Sequence, residues 1–202
     1  MTRSIMLVPL LVAAMAGSAV AAPIMFSATL SGPAEEPPNA STGTGTALVT
    51  IDPVAHTLSV SVTFEDLISP SSVSHIHVIN GPGDANLADT VGPVATTTPS
   101  FPGFPASVLA GTYDQTFDTT LASSFRPGFI TDAGGLPQAE AALFGAIMEG
   151  RAYLNVHSSM FPAGEIRGFL APVPEPATVL LLGVGAVGAL ARIRRQRART
   201  RA

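Results

Sequence analysis

The chain contains neither cysteine nor lysine. Without cysteine there is no disulfide framework and no thiolate chemistry, and a domain of this length can bury enough apolar surface to fold without cross-links. Without lysine, every basic side chain is an arginine, and six of the ten lie between Arg192 and Arg201. From Pro23 to Val173 only Arg126, Arg151 and Arg167 stand against thirteen carboxylates, a net charge of about −10. So acidic a body offers no footprint for nucleic acid, and none is expected as a partner. Also missing are a Gly-x-Ser-x-Gly elbow, a phosphate loop and a His-Glu-x-x-His helix. The acidic pairs Glu35-Glu36 and Glu65-Asp66 fall in loops or at strand ends, where carboxylates are solvated. No catalytic residue is assigned, and the chain is read as non-enzymatic.

The two ends differ from the middle. A basic start, Met1-Thr2-Arg3, leads into the apolar run Ile5–Ala16 and a small-residue cluster, Gly17–Ala22. That order is the secretory signal pattern, so residues 1–22 are expected to be a signal peptide cleaved after Ala21 or Ala22. Residues 173–202 open on Pro174-Glu175-Pro176. An uncharged stretch, Ala177–Ala191, follows, and then the basic cluster Arg192, Arg194, Arg195 and Arg197. As a helix this stretch spans about 22 Å, short for a bilayer, a deficit that local thinning and arginine snorkelling can offset. The arginines stay cytoplasmic under the positive-inside rule. Hydrophobic helices are therefore expected at both termini, the second as an anchor in the inner membrane.

This order of Pro-Glu-Pro, apolar helix and arginine cluster resembles the PEP-type C-terminal sorting signal of Gram-negative bacteria. The resemblance implies an exosortase-type sorting enzyme as partner. It also implies export through the inner membrane, an anchored precursor, and delivery to the cell envelope or extracellular matrix.

Between the ends the hydrophobic period is two. Met25–Ser31 is a candidate strand. Gly43–Ile51 alternates with Ala47, Val49 and Ile51 on one face. His56–Phe64 alternates with Leu58, Val60, Val62 and Phe64 inward, and a short turn at Asp52-Pro53 makes the two runs a hairpin. Val73–Ile79, Leu109–Phe117, Arg151–His157 and Glu165–Leu170 read as further strands. A stretch of 27 residues, Asn80–Ala106, is too long for a bare loop in a compact domain, and a short strand is expected around Val91–Thr98. Leu136–Met148 has helical spacing, with Leu136, Ala139, Leu143 and Ile147 on one side, Pro137 in its first turn and Gly150 beyond its end. The sum is an all-β, antiparallel sandwich with one or two short helices, over residues 23–172.

Four stretches in order resemble the CHRD (chordin-type) domain. They are Leu30–Pro38, Gly45-Thr46-Ala47 leading to Asp52-Pro53, His75-Ile76-His77, and Tyr153–His157 with Gly164–Gly168. Val78-Ile79-Asn80 stands between the histidine pair and Gly81-Pro82, where the family has no such insertion. The resemblance implies an immunoglobulin-like or superoxide-dismutase-like sandwich and no established activity. An extracellular polysaccharide or protein is the partner such a module would take.

Three of the four histidines lie in these stretches. Residues i and i+2 of a strand share a face, so His75 and His77 project together. Tyr153, Asn155 and His157 share a face opposite Leu154 and Val156, which are the natural core residues and place His157 outside the sandwich. If the two strands are neighbours, three imidazoles meet on one outer surface. Two readings are open: a polar cluster tying strands together, or a site for copper or zinc. The pattern is similar to that of copper-zinc superoxide dismutases, which carry a His-x-His strand, a later single His, and an approach like Ala163-Gly164-Glu165-Ile166-Arg167. A fourth copper-ligand histidine, a bridging histidine and a zinc loop are missing, so the resemblance does not extend to dismutase chemistry. No cofactor is required by this reading. Glu165 and Arg167 are expected as an ion pair or loop clamp, and Tyr153 as packing.

Overall fold

The computed structural model describes residues 22–86 and 90–174. The expected signal peptide, except Ala22, lies outside the described residues. So do Glu175, Pro176, the apolar stretch 177–191, and Arg192, Arg194, Arg195 and Arg197. Pro174 is the last residue described. Among the described residues no helix is long and apolar enough to cross a membrane.

Alternating sequence becomes alternating burial. β1 (Ile24–Ser31), β2 (Thr44–Asp52) and β3 (Thr57–Glu65) place Phe26, Leu30, Val49, Ile51, Leu58, Val60, Val62 and Phe64 in the core, with threonine and serine on the opposite face. β-Branched residues suit a pleated surface with one face buried. β2 and β3 form the expected hairpin, in register from Thr44 opposite Glu65 to Asp52 opposite Thr57. β4 (Ser71–Val78), β5 (Gly111–Asp118), β6 (Ala152–Ser158), β7 (Ile166–Phe169) and the short β8 (Ala171–Pro172) complete eight strands among the described residues. Every strand pair is antiparallel.

The sandwich expected from the sequence is made from one curled sheet, ordered β4-β6-β7-β1-β2-β3-β5 with β8 on β1. Its seam is thin. β7 meets β1 only at Arg167 opposite Ser31, and β8 adds two pairs at Phe26 and Ser27. Gly168 permits this close approach, because a Cβ there would strike the Thr29 carbonyl.

Two helices close the core. α2 spans Leu136–Met148, as its periodicity predicts. It buries Ala139, Leu143, Ala146 and Ile147 against β4, β6 and β8. α1, Pro127–Ala133, buries Phe129 and ends on Gly134 at φ 91°, whose N–H caps Ile130 and Thr131. At seven residues α1 is too short to show a period, so the sequence reading did not locate it. The strand expected at Val91–Thr98 is reduced to isolated bridges, His77 to Val94 and Thr96 to Phe125. Pro93 and Pro99 lack the N–H a ladder needs, yet the Pro93 carbonyl still accepts from Val78.

Replacing Gly168 with alanine is expected to push β7 off β1 and cost about 1–3 kcal/mol by overpacking. Urea melts of the variant beside the parent chain check this.

Candidate functional site

β6 is the best-covered strand. It lies between β4 and β7, and all seven of its residues are buried. Leu154 and Val156 face the core, as their phase predicts. On the other face two cross-strand rows form. His75, Asn155 and Arg167 make one, and His77, Tyr153 and Phe169 the other. His157 stands at the next position along β6.

That second face is not open, which corrects the expectation of an outer-surface site. His75, His77 and His157 are only 6%, 8% and 8% exposed. The segment around Thr90–Ser100 and the turn at Phe161–Pro162 roof them. Each roof contributes backbone carbonyls, because its prolines and turns leave those groups outside any ladder. Pro99 O lies 2.7 Å from His75 Nε2, Gly92 O lies 2.8 Å from His77 Nδ1, and Pro162 O lies 3.0 Å from His157 Nδ1.

A carbonyl can only accept, so each of those ring nitrogens donates, which fixes the tautomer of a neutral imidazole. The other nitrogen of each ring must then carry a lone pair. These are His75 Nδ1, His77 Nε2 and His157 Nε2, all buried without a hydrogen-bond partner. One nitrogen from each ring lies within 4.8 Å of the others. Ring centroids are 5.4 Å apart for His75–His157, 5.8 Å for His75–His77 and 6.1 Å for His77–His157. The strands expected to be neighbours are neighbours, and the three imidazoles do meet. A trigonal ion about 2.0 Å from each nitrogen needs them roughly 3.5 Å apart, so the rings would have to draw in from the 4.8 Å within which they lie here.

Burial lowers the proton affinity of all three rings, against partial restoration by the carbonyl bonds. His75 is held down to about 4 and His77 to about 3, and His157 is lowered too. At neutral pH the cluster is a set of neutral donors.

Beside it lies a second buried cluster. Arg167 stands 4.8 Å over the Tyr153 ring, which stacks on His77 at 4.8 Å and 8°. Its guanidinium donates to Ala34 O at 2.5 Å and to Thr90 O at 3.0 Å. The acid facing it is Glu35, at 3.8 Å, rather than Glu165. Glu165 is wholly buried and clamps a loop instead. Its Oε1 accepts from the Ser41 hydroxyl at 2.7 Å and the Ile68 N–H at 2.5 Å. Tyr153, expected only as packing, is the plate between a cation and an imidazole.

Glu35 is what sequence reasoning missed. The pair Glu35-Glu36 splits, with Glu36 in solvent and Glu35 only 6% exposed. Burial drives the Glu35 carboxyl up to about 7, against the lowering pull of Arg167. The signal lay in Gly32-Pro33-Ala34, a single tight turn closed by Glu35 N–H on Gly32 O, which turns that side chain inward. His56 stays on the surface against Glu140, at 3.0 Å. Asp84 caps its own loop through Asn80 and Asn86.

Comparison with family models gave two matches. One, described as the CHRD domain, covers residues 26–170. The other, described as the PEP-CTERM protein-sorting motif, covers residues 172–195. Comparison with curated proteins and with solved structures returned no match.

The histidines set a pH dependence. Their folded proton affinity lies below the unfolded value, so the stability they contribute is whole above about pH 6.5 and is lost as pH falls towards 4 and 3. Glu35 works oppositely, favouring the fold below its unfolded value and losing that contribution as pH rises through about 7. Between pH 7 and pH 4 the His77→Phe chain should lose roughly 3 kcal/mol less stability than the parent. Urea melts at the two pH values isolate the histidine, since Glu35 is common to both chains.

Proposed function

The chain belongs to the CHRD domain family, and from that premise we propose that it is a non-enzymatic binding module of the envelope or matrix whose three-histidine cluster holds one copper or zinc ion. The sorting motif implies export, a membrane-anchored precursor and recognition by exosortase-type machinery. Envelope or matrix is the proposed destination, and an extracellular polysaccharide or protein the proposed partner.

One observation carries the metal reading. Three ring nitrogens with lone pairs are buried together, and none has a partner. A cluster that merely tied strands together would pair them, because an unsatisfied buried acceptor costs about 1–3 kcal/mol. Metal-ligating histidines commonly donate their second nitrogen to a carbonyl, which orients the ring and raises its basicity. Pro99, Gly92 and Pro162 are suited to that task here. An ion so held would fasten both roof segments to β4 and β6. The reading is of a structural or storage metal: among the described residues no carboxylate joins the three rings.

Titration of the purified chain with Cu(I) under anaerobic conditions, and with Cu²⁺ and Zn²⁺, followed by elemental analysis after desalting, is expected to give one ion per chain with at least one of the three, and with it a raised melting temperature. His77→Ala should abolish both. Equal, weak binding of all three ions by the parent and the variant would remove the metal reading.

A further inference from the structure

Three neutral nitrogens around a buried point do not suit every ion equally. Among the described residues no carboxylate joins the cluster. Glu35 is turned to Arg167, and Glu165 holds Ser41 and Ile68 through Oε1. What acts on the three rings is burial, the roof carbonyls, the other imidazoles and Asn155, with no acid among them. The charge stacked behind His77 is positive: the Arg167 guanidinium, with the Tyr153 ring between.

An ion entering this site sheds water and gains no negative ligand. The desolvation cost grows as the square of the charge, so a dication is penalised about four times as heavily as a monocation. Zinc has a further requirement, since it takes four ligands, and where a protein supplies three a water or substrate fills the fourth position. Copper accepts imidazole donors, and as a closed-shell monocation it is satisfied by three of them in a plane. The roof carbonyls meanwhile leave each ring one lone pair and no freedom to choose its tautomer.

Resting on the metal reading above, we infer that the ion is Cu(I), held by His75 Nδ1, His77 Nε2 and His157 Nε2 in a three-coordinate site that discriminates against divalent ions. The buried, acid-free donor set is what disfavours them. Cu(I) bound this way is shielded by the roof segments from water.

The test uses the full purified chain under anaerobic conditions. Cu(I) is titrated against a chromogenic Cu(I) chelator, and Zn²⁺ and Cu²⁺ against chelators of their own. Cu(I) is expected to bind one per chain, on the order of 1,000-fold more tightly than Zn²⁺, as a penalty of several kcal/mol for the second charge requires. X-ray absorption should show three nitrogen neighbours and no fourth. ¹⁵N spectra of the wild-type imidazoles with Ag(I), a redox-inert monocation, should shift one nitrogen in each of three rings, a readout independent of whether any variant folds. His157→Gln and His77→Gln, checked for folding by circular dichroism, should each weaken Cu(I) at least tenfold. Zn²⁺ or Cu²⁺ binding as tightly as Cu(I) at these histidines would overturn the Cu(I) assignment and leave the metal site standing. No ion binding, or binding untouched by either substitution together with unshifted imidazoles, would overturn both.

Discussion

Strand β6 is covered on both faces, and that double burial constrains everything around it. A strand in an antiparallel sheet commonly keeps one face for the core and gives the other to water. β6 gives its second face to two roof segments, yet the residues there are Tyr153, Asn155 and His157, with His75 and His77 beside them on β4. Polar groups taken out of water need partners. The roofs answer with carbonyls freed from any ladder, so the irregular, proline-rich stretch before β5 is as much a part of the site as the strands.

The neighbouring cluster obeys the same constraint with full charges. Arg167 is buried at the seam where β7 meets β1, a place where a lone cation would be costly. Glu35, the Ala34 and Thr90 carbonyls and the Tyr153 ring surround it. These partners come from the first turn after β1, the segment before β5 and β6, so one guanidinium ties together three parts of the chain distant in sequence. Gly164 bends towards Glu35 at φ 139°, leaving no room there for a side chain. The two clusters share Tyr153, whose ring touches both Arg167 and His77.

Much of this was legible in advance. Alternation gave β1, the β2–β3 hairpin, β4, β5 and β6, because a strand with one core face writes its period directly into the sequence. The helix at Leu136–Met148 was legible for the same reason at its own period. The segment Val91–Thr98 was not, since its conformation is set by what it covers rather than by its own pattern. Nor was the opposite fate of Glu35 and Glu36, adjacent and chemically alike, one in solvent and one against Arg167. The pairing of Arg167 with Glu35 instead of Glu165 is a matter of distance across the sheet, and no local signal encodes it.

By itself the sequence determined the acidic, cysteine-free body, its all-β class, the identity of the three histidines and the side of the strand each occupies. Those follow from composition and from a two-residue period, which are properties of the chain read one segment at a time. Only the tertiary structure decided that His75 and His77 lie beside His157, that the face they share is roofed, and which nitrogen of each ring is left bare. Convergence depends on strand order, and strand order is set by which hydrophobic faces close on one core. The bare nitrogens depend on carbonyls 5 to 24 residues away along the chain, brought to the rings by folding alone.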